Sequence, residues 1–198
     1  MRPAHHIATL ARLASLSLAL LAMTATAADT PPIKPGLWEM TQHGQKMNGQ
    51  AMPDASAQMA AAMKDMPPEM RKRMEAQMKA HGVQMSPSAG GGMATRMCLT
   101  REMLDQNRWQ RTDGHCSSQV VSRSGNTWKW KVNCTQPPAD GEGTTTFTGQ
   151  EGYQTEMRMN MVQDGRRQTM EMKHSARWLG ADCGALKPVA PPTGSTRK

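Results

Sequence analysis

Apolar and polar positions change period several times along the chain, and each change marks an element. The first stretch is a mostly apolar run from Leu13 to Met23. Arg2, His5, His6 and Arg12 precede it, and small residues follow it, with Ala25 and Ala27 in A-x-A spacing. That layout predicts a cleavable secretory signal over residues 1–27, because the run is too short for a stable bilayer anchor. Residues 33–43 then alternate, with Trp38, Met40 and Gln42 set against Leu37, Glu39 and Thr41. This predicts a first strand with Trp38 turned inward.

Residues 53–82 follow the helical period instead. Asp54 suits the cap of a helix reaching about residue 64, with Met59 and Met63 on one face. Pro67 and Pro68 interrupt it and fit the first turn of a second helix. In that helix Met70, Met74 and Met78 recur every fourth residue. Glu69 with Arg73 and Glu75 with Lys79 decorate the other side, and Gly82 supplies the stop. We expect a Met-rich helical hairpin inserted near the N-terminus. Its stripe (Met59, Met63, Met66, Met70, Met74, Met78) would either dock on the sheet or serve as the face for a partner helix or membrane surface. Residues 86–92, composed of Ser, Pro, Ala and Gly, read as a flexible connector.

From Met93 the period is two. Residues 93–98 make a short strand, and Thr100 can cap a short helix over 101–106. Ser124-Gly125-Asn126 is a turn signal between two alternating runs. Centred on Gly125, it sets Val120 opposite Trp130, Ser118 opposite Val132 and Cys116 opposite Cys134. A slip of one residue would put Val120 opposite Lys131, so the pattern selects its own register. A strand at 144–148 surrounds Phe147, and a turn at 149–152 leads into 153–162. Asp164-Gly165 then closes a second hairpin, with Met157 facing Met172, Met159 facing Met170 and Met161 facing Gln168. The expected fold class is α+β, mainly β. It is an antiparallel β-meander of about six or seven strands with the helical insertion (53–82) and two disulfides. Trp38, Trp128, Trp130, Trp178 and Phe147 lie on its inner face. One exported domain would span 28–186, with a disordered tail over 187–198.

Composition narrows the classes. The net charge of +8 comes from scattered Lys and Arg without interleaved aromatics, which argues against nucleic-acid binding. Four cysteines in an exported chain imply two disulfides, and no pair has the C-x-x-C spacing of a redox site or zinc ribbon. The hairpin register favours Cys116 with Cys134, leaving Cys98 with Cys183. Twenty methionines against one Phe and one Tyr is the unusual number.

Four stretches together resemble an uncharacterised exported bacterial family, domain of unknown function family 3617. They are Lys34-Pro35-Gly36-Leu37-Trp38-Glu39 behind a signal, Met97-Cys98-Leu99-Thr100 before a short helix, Met66-Pro67-Pro68-Glu69-Met70, and Trp178-Leu179-Gly180-Ala181-Asp182-Cys183. The resemblance implies a periplasmic location in a Gram-negative cell and carries over no catalytic residues.

Candidate chemistry rests on sulfur. Met157, Met159, Met161, Met170 and Met172 would share one side of a hairpin with His174, and thioethers are soft ligands suited to Cu(I) or Ag(I). The same methionines are also what an adaptable core would use, and the alternation with polar residues favours that. No G-x-S-x-G, H-E-x-x-H, P-loop or Rossmann glycine pattern is present, so an enzyme is not expected. Two readings remain: a non-enzymatic domain that binds a protein partner or apolar ligand, without a resident cofactor, or a soft-metal binder.

Overall fold

The computed structural model describes residues 30–88, 92–109 and 115–188. The expected signal over residues 1–27 and the tail beyond 188 lie outside the described residues. The strands are β1 (Gly36–Met47), β2 (Gln50–Ala51), β3 (Val83–Pro87), β4 (Met93–Leu99), β5 (Cys116–Ser124), β6 (Thr127–Thr135), β7 (Pro138–Thr148), β8 (Gly152–Gln163) and β9 (Arg166–Gly180). The helices are α1 (Ala55–Asp65), α2 (Pro68–Ala80) and α3 (Arg101–Asp105).

All pairings are antiparallel in one sheet, ordered β3-β4-β1-β9-β8-β7-β6-β5, with β2 folded back on β1. The meander expectation holds from β5 to β9 and fails at the front, where β1 lies between β4 and β9. Joining the two ends of the chain is a non-local pairing that no turn residue encodes. The strand count is also larger than expected. Residues 83–87, of which 86 and 87 were assigned to a connector, instead form β3 on the edge beside β4. The Asn48-Gly49 turn makes a further short hairpin, both residues having positive φ as such a turn requires.

Both hairpins keep the expected register where side chains face inward. Cys116, Ser118 and Val120 oppose Cys134, Val132 and Trp130. The turn itself is Gly125-Asn126 rather than centred on Gly125, and a bulge between Val120 and Ser122 absorbs the offset. In the second hairpin, Met157, Met159 and Met161 oppose Met172, Met170 and Gln168. The sulfurs of Cys98 and Cys183 stand 2.02 Å apart, and those of Cys116 and Cys134 2.06 Å apart.

Opposed residues share a face, so the register sorts the sheet into an apolar and a polar side. On the apolar side lie Trp38, Phe147, Tyr153 and Ala176, covered by Met103 and Leu104 of α3, by Trp109 and by Ile33. Trp109 packs edge-on to Tyr153 at 5.4 Å and tilted against Phe147 at 5.8 Å. Gly143 leaves room for the Trp130 ring, since a Cβ there would fall 2.2 Å from it.

The polar side is a charged ladder. Along one row run Lys131, Glu142, Arg158, Glu171 and Lys46, alternating in sign. In a separate row of this face, Glu39 is only 4% exposed and holds two arginines, Arg96 Nε at 2.9 Å and Arg177 Nη2 at 2.7 Å. Burial pushes the Glu39 carboxyl up, but the hydrogen bonds and charges of both arginines outweigh it and hold it below the ordinary range.

Candidate functional site

Two helices flank the sheet without entering its core. Asp54 caps α1 by accepting hydrogen bonds from the Ser56 and Ala57 amides, and Pro68 opens α2, yet neither helix holds a buried residue. Within the methionine stripe, Met63, Met66, Met74 and Met78 are half-buried, while Met59 is 48% exposed and Met70 exposed too. Gly92 fixes the approach of α1. At φ +74° it lies so close that a Cβ would fall 2.4 Å from Ser56 Oγ.

Beneath α1 the apolar face forms a cleft of about 360 Å³. Its sulfur-bearing lining comes from four strands and the helix: Met40 of β1, Met85 of β3, Met93 of β4, Met172 of β9 and Met59 of α1. His174 of β9 completes the set. The register accounts for this gathering. Met40 opposes Thr95, Thr95 opposes Met85, and His174 opposes Gln42, so the side chains project to one face from adjacent strands.

Donors position two of the sulfurs. Thr95 Oγ1 donates to Met85 Sδ at 3.5 Å, and the Tyr153 hydroxyl to Met40 Sδ at 3.8 Å. Burial raises the Tyr153 phenol far above its usual value, so it remains a donor. The His174 ring stands edge-on to the Tyr153 ring at 6.2 Å and makes no hydrogen bond to a described residue. Burial, and secondarily the charge of His43, push its imidazole below the ordinary 6.5, so it is neutral at neutral pH.

The six residues singled out on the second hairpin thus divide. Met172 and His174 line the cleft, whereas Met157, Met159, Met161 and Met170 lie further along the same face, each half-buried. From the helical stripe only Met59 joins the cleft. The four cysteines are paired away from it. Sequence reasoning missed Met40, Met85 and Met93 as site residues, Met40 being read only as part of the first strand's alternation. Met85 sits on an edge strand too short to show alternation, and Met93 follows a glycine-rich connector.

A larger concavity of about 690 Å³ lies against the charged ladder. Two ion pairs lie there: Arg158 pairs with Glu171, and Lys173 Nζ lies 2.8 Å from Glu156. Exposed charges alternating in sign make this a solvated face. Among the described residues, no three His, Cys, Asp or Glu side chains gather as a metal site, and no helix is long and apolar enough to cross a membrane.

The Lys34-to-Glu39 motif is structural. The Trp38 indole donates to the Lys34 carbonyl at 2.9 Å, and the Trp178 indole to the Pro35 carbonyl at 3.0 Å. Gly36, at φ +132°, has no room for a Cβ, which would fall 2.2 Å from the Gly180 carbonyl oxygen. Lys34 covers the Trp178 ring at 4.9 Å, and Glu39 holds its two arginines. The motif locks two tryptophans where the first and last strands meet.

Residues 33–183 match the model of the family described as Protein of unknown function (DUF3617). The chain belongs to the DUF3617 family. It is also 36% identical over 138 residues to a Pseudomonas putida protein named "Uncharacterized protein in lpd-3 5'region", covering 69% of this chain and 91% of that one. No solved structure gives a significant match. The DUF3617 match begins at Ile33 and ends at Cys183, so it contains the tryptophan lock, the cleft and both cysteine pairs.

Proposed function

We propose that this DUF3617 protein is a periplasmic, non-enzymatic binding domain whose site is the methionine-lined cleft beneath α1. The observation that carries the reading is the cleft itself: four thioethers and a neutral imidazole of the sheet lie under a helix that buries nothing and adds Met59 as a fifth. A helix whose only function was to close a core would bury an apolar stripe there. Flexible methionines suit a site that adapts to a small apolar ligand. In this reading α1 and α2 form a Met-rich helical hairpin that acts as a cover, and residues 28–186 are the secreted domain.

Export is supported by the layout of residues 1–27 and by four cysteines paired at bonding distance. Expression of the full chain in a Gram-negative cell, with fractionation and intact-mass measurement, tests it. The expected product is periplasmic and starts at Ala28. Recovery in the cytosol with residues 1–27 attached would overturn the location. Binding is tested with 1-anilinonaphthalene-8-sulfonate: saturable fluorescence is expected, weakened by Met59→Gln in the cover. Unsaturable or absent enhancement would overturn an apolar-ligand site.

A second reading is favoured by the sulfur content. The protein binds or buffers a soft metal, Cu(I) or Ag(I), and the hairpin set of Met157, Met159, Met161, Met170, Met172 and His174 is its first candidate site. The apposed Met157 with Met172 and Met159 with Met170 support it, since directly opposed side chains can share one ion.

A further inference from the structure

We propose that the cleft beneath α1 binds one soft monovalent d10 cation, Cu(I) or Ag(I), through the sulfurs of Met40 and Met93 and a ring nitrogen of His174, with Met59 closing over it. The proposal rests on the cleft being the binding site, and it names the ligand that the cleft's chemistry selects.

Four observations converge. First, the three sheet residues come from adjacent strands β4, β1 and β9 on one face. Met40 opposes Thr95 and Ala176, so Met93 and His174 are its diagonal neighbours. Diagonal positions lie about 7–8 Å apart, and Met93 and His174, on the strands either side of Gln42 of β1, about 10 Å apart, a span that two long side chains with an ion between them cover. Second, the cleft's lining holds no carboxylate and no thiol. A neutral set of thioethers and imidazole stabilises a monovalent soft ion, whereas Mg²⁺ or Ca²⁺ would require oxygen ligands there. Third, the cysteines that would otherwise compete as soft ligands are bonded to one another, so thioether sulfur is what remains available. Fourth, His174 is half-buried and without a hydrogen-bond partner among described residues, which leaves its nitrogens open to a metal.

Met59 is the residue that changes state. It lines the cleft yet is 48% exposed on a helix with no buried residue. Rotation of its side chain towards the ion adds a fourth ligand and lowers the exposure of α1. Met85 lies on the edge strand β3, beyond Met93, and the Met40 sulfur, which accepts from the Tyr153 hydroxyl, keeps a second lone pair for the ion.

The experiment is anaerobic Cu(I) titration of the full secreted chain against a chromophoric chelator, with Ag(I) as a redox-inert control. One equivalent binds the wild type. Met59→Leu with Met93→Leu conserves volume and weakens binding by on the order of 100-fold. Met159→Leu with Met170→Leu leaves binding unchanged, and His174→Met, which keeps a soft ligand, still binds. Loss of binding in the Met159 and Met170 variant alone would overturn the proposal and move the ion to the hairpin. Absence of any competition would overturn it as well, while saturable binding of the naphthalene probe would still leave the cleft as an apolar-ligand site. Thermal unfolding of each variant without metal separates misfolding from ligand loss.

Discussion

One face of one sheet has two ends that differ in nearly everything except backbone. At the aromatic end Trp38 and Phe147 are 0% and 1% exposed, stacked with Tyr153 and Trp109 and capped by Leu104 of α3. At the methionine end Met157, Met159, Met170 and Met172 are all half-buried, and the nearby helices bury nothing. Rigid rings in interlocking contact lose little side-chain entropy and exclude water, so they hold the fold. Methionines carry three rotatable bonds and gain less from partial burial, so the same number of side chains stabilises less and adapts more. The difference assigns stability to one end and leaves the other free for binding.

The largest test of that contrast sets an aromatic truncation against a methionine swap. Phe147→Ala should cost about 4 kcal/mol in denaturant unfolding, since it opens a cavity at the centre of the aromatic cluster. Met159→Leu with Met170→Leu should cost less than about 1.5 kcal/mol. Equal losses would erase the distinction between the ends.

Next in size is the charge clamp on the polar face. Glu39→Gln removes the partner of Arg96 and Arg177 and should cost about 3 kcal/mol, at the low end for a buried pair because both arginines reach solvent. The Glu39 carboxyl is depressed in the folded protein, so its contribution is present above the unfolded value near 4.5. It is lost as pH falls through the folded value. Acid unfolding curves of wild type and variant should therefore converge below that point. Parallel curves would remove Glu39 from the account.

The smallest effect belongs to the methionine end. The His174 imidazole is depressed by burial, so in the unfolded chain it takes up a proton before the folded one does. Stability should fall as pH drops from about 6.5 through the folded value, and His174→Met should flatten that segment. A wild-type profile that is already flat there would mean the imidazole is not desolvated.

Local pattern made most of the strands legible, and non-local pairing hid the rest. The hairpins β5–β6 and β8–β9 could be registered from alternation and their turn residues, down to the Met159 and Met170 apposition. The bulge at Val121 could not, because it changes the turn without disturbing the inward residues. Placing β1 between β4 and β9 depends on tertiary closure around Trp38 and Trp178, whose indoles anchor to carbonyls of the Lys34-Pro35 segment. Trp109 belongs to the core with no periodic neighbour to announce it. The cleft was half legible. Met172 and His174 stood out on one strand, but Met40, Met85 and Met93 join them only through the sheet order.

The two ends can be compared directly through one residue type, since methionines occur in both. Limited peroxide oxidation with peptide mapping reads each sulfur separately, and its rate follows exposure. Met70, at 57% exposed, should oxidise first, then Met59 and Met52, then Met93 and the Met157, Met159, Met170 and Met172 group. Met97 and Met103, buried at the aromatic end, should be slowest by a wide margin. Oxidation of Met97 and Met103 as fast as the hairpin methionines would contradict the division of one face into a sealed core and an open, sulfur-lined site.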